Sequence, residues 1–404
     1  MRNLEKSVPV IRFKGFSEAW EQRKVSDYAI NTYGGGTPKT NVPEYWSGEI
    51  PWIQSSDLLI SNLFNVIPKK YITELAVKSS ATKFIPANSI AIVSRVGVGK
   101  LVFMPFEYTT SQDFLSLSNL QVDSNFGVYS IYMMLQKELK NIQGTSIKGI
   151  TKTDLLEKHI NKPSSREEQK KIGDFFKQLD DTIALHQRKL DALKLMKKGF
   201  LQQMFPKSEE NVPKLRVSNF AGEWEQRKAG NIFMTISDKN HAHLPVLSAS
   251  QELGMIRRDN IGINIKYNEK SLKNYKLVKP GQFVIHLRSF QGGFAWSYIT
   301  GITSPAYTIL DYKEPQKNVS KFWKEVLTSP IFIKRLETIT YGIRDGRSIS
   351  FADFSTLKFS APSVDEQRKI SAFFQQLDNN TTIQQNKLEK LISLKEAYLQ
   401  NMFI

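Results

Sequence analysis

Two long stretches of the chain place their seam residues at alternating steps of four and three. In the first, Ile172, Phe176, Leu179, Ile183, His186, Leu190, Leu193, Lys197, Phe200 and Met204 fall on one line. In the second, Ile370, Phe374, Leu377, Thr381, Gln384, Leu388, Leu391, Lys395, Tyr398 and Met402 repeat the same steps. A mean period of 3.5 residues keeps one stripe of a helix facing a partner, so each stretch predicts the seam of a coiled coil. Aligned without a gap from Glu168 and from Glu366, the stretches agree at 18 of 38 positions, where unrelated chains would share about two. Each helix thus finds its partner in the other. At 1.5 Å per residue, about 40 residues make a rod roughly 60 Å long. Tandem repeats related by a two-fold axis run their rods in opposite directions, which predicts an antiparallel pair. His186 and Gln384, each sixth of the ten seam positions, then lie near its middle.

Ahead of each rod the period changes to short apolar runs separated by turn residues. In the first repeat these are the Gly34-Gly35-Gly36-Thr37-Pro38 turn, then Ile50-Pro51-Trp52-Ile53, then Ile90-Ala91-Ile92-Val93 before Gly97. They predict a β-rich mixed domain with a helix near 127–140. The second repeat keeps the frame: Pro280 and Phe283-Val284-Ile285 answer to Pro86 and its strand, Thr303-Ser304 to Thr110-Ser111, and Asp353 to Asp154. Most other residues differ. Residues 8–24 and 212–228 agree at nine of seventeen places and both end in W-E-Q-R-K, with Trp20 and Trp224 as expected core anchors. The expected organisation is a first domain at 1–158, a first rod at 159–206, a second domain at 207–357 and a second rod at 358–404. Pro206 stops the first rod, because proline cannot continue a helix interior. The fold class is α/β of the α+β kind, with an internal two-fold repeat.

Charge adds a partner. The 404 residues carry 56 Lys plus Arg against 39 Asp plus Glu, a formal +17, divided as +4, +4, +8 and +1 over those four segments. The two globular parts hold most of the excess, which favours a polyanion such as nucleic acid. Cysteine is absent, which removes disulfides and thiolate metal sites and fits a reducing interior. No apolar run is long enough to span a bilayer, and the polar start M-R-N-L-E-K does not resemble a signal peptide. A soluble cytoplasmic protein without membrane contact is the expectation.

Two variable domains alternating with two similar long helices, W-E-Q-R-K before each domain, and E-Q-x-K-I with F-F-x-Q-L-D opening each helix resemble the specificity subunit of type I restriction-modification enzymes. G-G-G-T-P-K at 34–39, E-I-P-W-I at 49–53 and the Q-x-M-F closing each rod at Gln202 and Gln400 are similar to stretches of that family. Each string alone is weak, whereas their order and duplication across the whole chain are specific. The resemblance implies two target-recognition domains, each reading half of a split double-stranded DNA site, and paired helices that set the gap and dock two methyltransferase subunits. The resemblance also implies that a restriction subunit with translocase and nuclease activity can join the full complex. The resemblance implies no cofactor on this chain; the partners would use S-adenosylmethionine, ATP and Mg2+ for adenine methylation and DNA cleavage. The second domain departs from the pattern, lacking the G-G-T-P turn and the P-W-I strand.

Signatures of catalysis are weak. Val96-Gly97-Val98-Gly99-Lys100 lacks the upstream glycine and the following Ser or Thr of a phosphate-binding loop. Ser304-Pro305-Ala306-Tyr307 lacks the acidic or amide residue and second proline of an amino-methyltransferase motif, and no glycine-rich cofactor loop is present. His241 and His243 have no third ligand beside them in sequence, and no metal site is expected. Glu167-Glu168 and Asp365-Glu366 sit at the first turn of each rod, where carboxylates favour the positive end of a helix dipole over a magnesium site. What remains are basic and amide side chains suited to guanine, adenine and phosphate. The candidates are Lys39, Gln54, Ser55, Arg95, Lys100, Gln112, Thr145 and Lys148 in the first domain. In the second they are Lys239, Asn240, His241, Gln251, Arg288, Gln291, Arg344 and Arg347. A non-catalytic recognition subunit accounts for these features. The alternatives are a self-sufficient DNA methyltransferase or nuclease, and a coiled-coil scaffold whose charge is incidental.

Overall fold

The computed structural model describes residues 8–141, 149–207, 210–250, 253–261, 269–285, 294–336 and 350–404. The chain divides into two compact units: Met1–Gln187 with Asn386–Ile404, and Arg188–Gln385.

The first unit opens with β1 (Glu21–Lys24) and β2 (Ala29–Gly34), followed by β3 (Ile50–Ile53), β4 (Lys70–Ile72) and a short helix α1 (Glu74–Lys78). Next come β5 (Ser89–Val93), β6 (Leu101–Met104), β7 (Thr109–Thr110) and β8 (Phe114–Leu120). Helices α2 (Ser124–Asn141) and α3 (Lys152–Glu157), strand β9 (His159–Lys162) and the start of α4 (Arg166–Gln203) complete it, together with residues 386–404. Four antiparallel strands form the sheet β2-β8-β5-β6. A smaller sheet, β4-β3-β7, contains the parallel pair β3 and β7, and β1 pairs with β9. All five residues of β5 are buried, because both faces of the sheet are covered. Strand alternation sends Ile90 and Ile92 into the core shared with the helices and Ala91 and Val93 into the core on the other face.

The start of α4 is fastened by side chains. The Ser165 hydroxyl accepts the Glu168 N–H at 3.3 Å, an N-terminal cap. Glu168 is 1% exposed and takes both arms of the Arg12 guanidinium at 2.6 and 2.8 Å, with the Trp20 Nε1–H at 3.4 Å. The next residue, Gln169, accepts the Asp123 N–H at 3.0 Å and donates to the Pro163 carbonyl at 2.9 Å. Thus E-Q ties the helix both to the segment before the domain and to the domain's own helix α2. Phe403 lies among Trp20, Phe126 and Phe176, with ring centroids 5.6 to 6.3 Å away.

The second unit repeats this plan. It contains β10 (Glu225–Lys228), α5 (Ala229–Ile232), β11 (Phe233–Ile236), β12 (Leu247–Ser250) and β13 (Gly254–Arg257). Then follow β14 (Lys276–Val278), β15 (Phe283–Ile285), β16 (Phe294–Trp296), β17 (Gly301–Thr303) and β18 (Thr308–Tyr312). Helices α6 (Ser320–Leu327), α7 (Pro330–Leu336) and α8 (Phe351–Thr356), strand β19 (Lys358–Ala361) and helix α9 (Val364–Met402) end the chain's regular structure. The main sheet is β11-β18-β15-β16 and β10 pairs with β19, matching their counterparts strand for strand. Where the first unit has β4-β3-β7, this one has the hairpin β12-β13 and the pair β14-β17. The fastening recurs: Arg216 grips buried Glu366 at 2.7 and 2.8 Å, and Gln367 accepts the Val319 N–H at 2.9 Å. Phe205 stands among Trp224, Phe322 and Phe374 at 5.5 to 6.2 Å.

Within each unit, part of α4 runs antiparallel to part of α9. In the first, Phe175 meets Tyr398 edge-on at 5.2 Å and Asp180 pairs with Lys395. In the second, Phe200 meets Phe373 at 4.8 Å and Lys197 pairs with Asp378 at 2.6 Å. All twenty seam positions from Ile172 to Met204 and from Ile370 to Met402 are buried or half-buried, His186 and Gln384 among the half-buried ones. Trp20 and Trp224 are buried, while Phe16 and Phe220 are half-buried rings with the ammonium groups of Lys171 and Lys369 each 5.0 Å from the ring centre.

Arg12→Ala leaves the Glu168 carboxylate buried beside Trp20 without its bidentate partner. Breaking a buried ion pair from one side costs about 3–5 kcal/mol, and denaturant unfolding should show a loss of that size. Asp378 supplies a pH test. Burial pushes its carboxyl up, but the hydrogen bonds and charges of Lys197 and Lys324 outweigh this and hold it below the usual carboxylate range. With the folded value depressed, its stabilisation is present above the unfolded pKa of about 3.9 and is lost as pH falls through the folded value. The thermal unfolding midpoint of Asp378→Asn should therefore depend less steeply on pH below about 4 than that of the parent.

Candidate nucleic-acid interface

The G-G-G-T-P-K stretch leaves β2 and is pinned down at once. The Gly36 N–H donates to the Thr110 carbonyl at 2.9 Å, and the Gly36 carbonyl accepts the Trp52 Nε1–H at 3.0 Å. A Cβ on Gly35 would stand 2.0 Å from the Ser111 carbonyl oxygen, and one on Gly36 would stand 2.5 Å from the Ala81 backbone. Only glycine allows this approach. Lys39 follows, exposed, its carbonyl accepting the Trp46 Nε1–H at 3.1 Å. Trp46 packs edge-on against Trp52 at 4.9 Å, and the Lys70 ammonium lies 5.5 and 5.6 Å from the two ring centres. Thr40, Trp46, Lys69, Lys70 and Tyr71 line an open cavity of about 530 Å³ there.

A larger recess, about 840 Å³, opens between the turn joining β5 to β6 and the start of α3. Arg95 and Gln112 line it, together with Ser94, Val96, Gly97 and Lys152. Arg95 and Gln112 are exposed, and the Gln112 side-chain oxygen accepts the Thr37 hydroxyl. The Lys152 ammonium lies directly over Gly34, where a Cβ would come within 2.5 Å of it. Burial lowers the Lys152 pKa, and the charges of Arg95 and Lys83 add to the lowering against an opposing contribution from Asp113.

The Val96–Lys100 string is a hairpin turn. Gly97 and Gly99 have φ of 90° and 97°, and a Cβ on Gly99 would meet Leu139 at 2.4 Å. The Lys100 ammonium donates to the Ser55 carbonyl at 3.1 Å, joining this turn to the loop after β3. Gln54 and Ser55 are half-buried in that loop, where the Gln54 N–H donates to Asp57 at 3.1 Å. The first-domain candidates therefore fall into three places: Lys39 beside the tryptophans, Arg95 with Gln112 in the recess, and Gln54, Ser55 and Lys100 at the tie. Thr145 and Lys148 lie outside the described residues.

In the second unit Lys239 and Asn240 are exposed, and Asn240 takes a left-handed φ of 71°. His241 is half-buried, with Nε2 2.9 Å from Asp238. Lys276, distant in sequence, is brought near Lys239; burial and then that charge lower its pKa, and its ammonium donates to the Tyr307 carbonyl at 2.7 Å. Gln251, Arg288, Gln291, Arg344 and Arg347 lie outside the described residues. Among the described residues, no group of three or more His, Cys, Asp or Glu could hold a metal ion. No described helix is long and apolar enough to cross a membrane.

Lys69, Lys70, Trp46 and Lys152 enter these surfaces without having been singled out in sequence. Adjacent Lys69-Lys70 beside Tyr71 was a readable basic and aromatic signal. Lys152 had none, because only folding brings it over Gly34. Lys100→Ala should lower stability by about 1 kcal/mol, the usual net contribution of one hydrogen bond. Denaturant melts should show that loss with an unchanged slope.

The family model for the type I restriction modification DNA specificity domain matches residues 17–195 and again 223–393. The type I restriction enzyme MjaIX specificity subunit of Methanocaldococcus jannaschii is 29% identical over 279 residues, which are 64% of this chain and 63% of that protein. The EcoR124I/EcoR124II specificity subunit of Escherichia coli is 35% identical over 169 residues, 37% of this chain and 39% of that protein. The matches thus span less than two thirds of either relative. A crystal structure of the type I restriction-modification S subunit from M. genitalium shares the fold, with a TM-score of 0.63 at 15% identity over 98% of this chain and 99% of that one.

Proposed function

From the premise that the chain belongs to the type I restriction modification DNA specificity family, we propose that it is the non-catalytic subunit that selects the DNA site for a methylating and cleaving complex. Each unit's domain reads one half of a bipartite duplex site, and the paired helices set the gap and dock two methyltransferase subunits. Those partners would supply S-adenosylmethionine chemistry, and a restriction subunit would bring ATP and Mg2+. The observation that carries the reading is one frame used twice with different additions. The sheets β2-β8-β5-β6 and β11-β18-β15-β16 agree, whereas β4-β3-β7 gives way to β12-β13 and β14-β17. A retained frame with altered loops is what two different half-site sequences require, because base edges are read by side chains on the elements that differ.

Replacing residues 25–158 by the equivalent domain of a related protein should alter one half of the methylated sequence and leave the other half unchanged. Mapping methylated adenines in DNA from cells carrying the chimera and its partners checks this. A change in both halves would show that the domains do not read independently. The helices have their own test. Seven residues inserted in both α4 and α9 preserve the 3.5-residue seam and lengthen the pair by about 10 Å, near three base pairs of duplex rise. The mapped gap should widen with the half-sites unchanged, and affinity should fall because the duplex also twists over that distance.

A further inference from the structure

The DNA-binding reading leaves open what meets the recess of the first unit. We propose that the recess between the β5–β6 turn and the start of α3 seats a phosphodiester of the DNA backbone, with Lys152 as its central contact and Arg95 beside it in the lining.

Shape gives the first reason. Base edges lie on the floor of a groove and are reached by elements that protrude, whereas phosphates stand along the ridges of the duplex and can enter a concavity. The recess is concave, about 840 Å³, and Lys152 is half-buried in its lining. Charge gives the second. Arg95 and Lys83 both act electrostatically on Lys152, with Asp113 as the opposing carboxylate. The one carboxylate that acts against these charges at Lys152 among the described residues is Asp113, so positive charge is in excess there. A neutral base edge would leave their mutual repulsion in place, while an anion relieves it and is bound more tightly for that reason. The third reason is the room made for the ammonium. It rests over Gly34, the first glycine of G-G-G-T-P-K, where any side chain would displace it. Lysine also suits the role: it is a point charge with rotatable donors and lacks the planar fork used for paired contacts to a base.

The test uses the full chain with its methyltransferase partners and two duplexes, one of random sequence and one bearing the mapped site. Binding is followed by fluorescence anisotropy across a salt series. Lys152→Ala should reduce the slope of log affinity against log salt by about 0.9 on both duplexes, with the methylated sequence unchanged. Lys152→Arg should retain the slope, which separates a lost charge from a folding defect. A phosphate raises a lysine pKa that burial and like charges have lowered, so binding takes up a proton as pH rises into the titration of Lys152. Wild-type affinity should therefore decline at alkaline pH, and Lys152→Arg should abolish that part of the decline. An unchanged slope in Lys152→Ala overturns the phosphate seat while leaving the DNA reading intact. A relaxed base preference in one half-site overturns it as well, by assigning Lys152 to base readout. A wild-type affinity without salt dependence overturns both.

Discussion

The structure depends on two buried carboxylates. Glu168 and Glu366 sit at the first turn of α4 and α9, each 1% exposed or less, and each is held by a bidentate arginine from the segment that precedes its domain. Desolvating a carboxylate is costly unless donors surround it, so the arginine and, in the first unit, the Trp20 indole must be in place together. The neighbouring glutamines extend the requirement to Asp123 and Val319 at the start of α2 and α6. One dipeptide thereby fixes where a long helix begins, which way it leaves and how the domain sits on it.

From that point the rest follows by packing. Aromatic rings fill the angle between helix and domain, Phe126 and Phe176 around Phe403 in one unit and Phe322 and Phe374 around Phe205 in the other. The seam then carries the arrangement along the helices, with one lysine–aspartate pair in each unit at equivalent places. Sheets β2-β8-β5-β6 and β11-β18-β15-β16 are covered on both faces. Their outer attachments differ, and so do the helices beside them, a single α2 in the first unit against α6 and α7 in the second.

The elements legible in sequence are those set by local periodicity. The 3.5-residue seam and the apolar run of β5 each follow from a short stretch of residues and the physics of one helix or strand. Glu168 shows where that legibility ends. Its place near a helix start is local, but its partner Arg12 is 156 residues away and no periodicity connects them. The surfaces show the same limit. Arg95 and Gln112 were legible as residue types suited to nucleic acid, and the recess that unites them with Lys152 and Gly34 exists only once β2, the β5–β6 turn and α3 converge.

The two units also differ in the order in which their parts are made. Arg188–Gln385 is continuous, whereas the other unit draws on Asn386–Ile404 as well as on Met1–Gln187. Its core therefore lacks Leu399, Met402 and Phe403 until the ribosome has passed every residue of its neighbour. Domains made first usually fold first during synthesis. Here the unit whose larger part is made before its neighbour is the later one to close its core, and it must wait with Trp20, Phe126 and Phe176 short of the ring that packs among them. A nascent chain stalled before residue 386 would hold every residue of one unit and leave the other without Leu399, Met402 and Phe403 of its core.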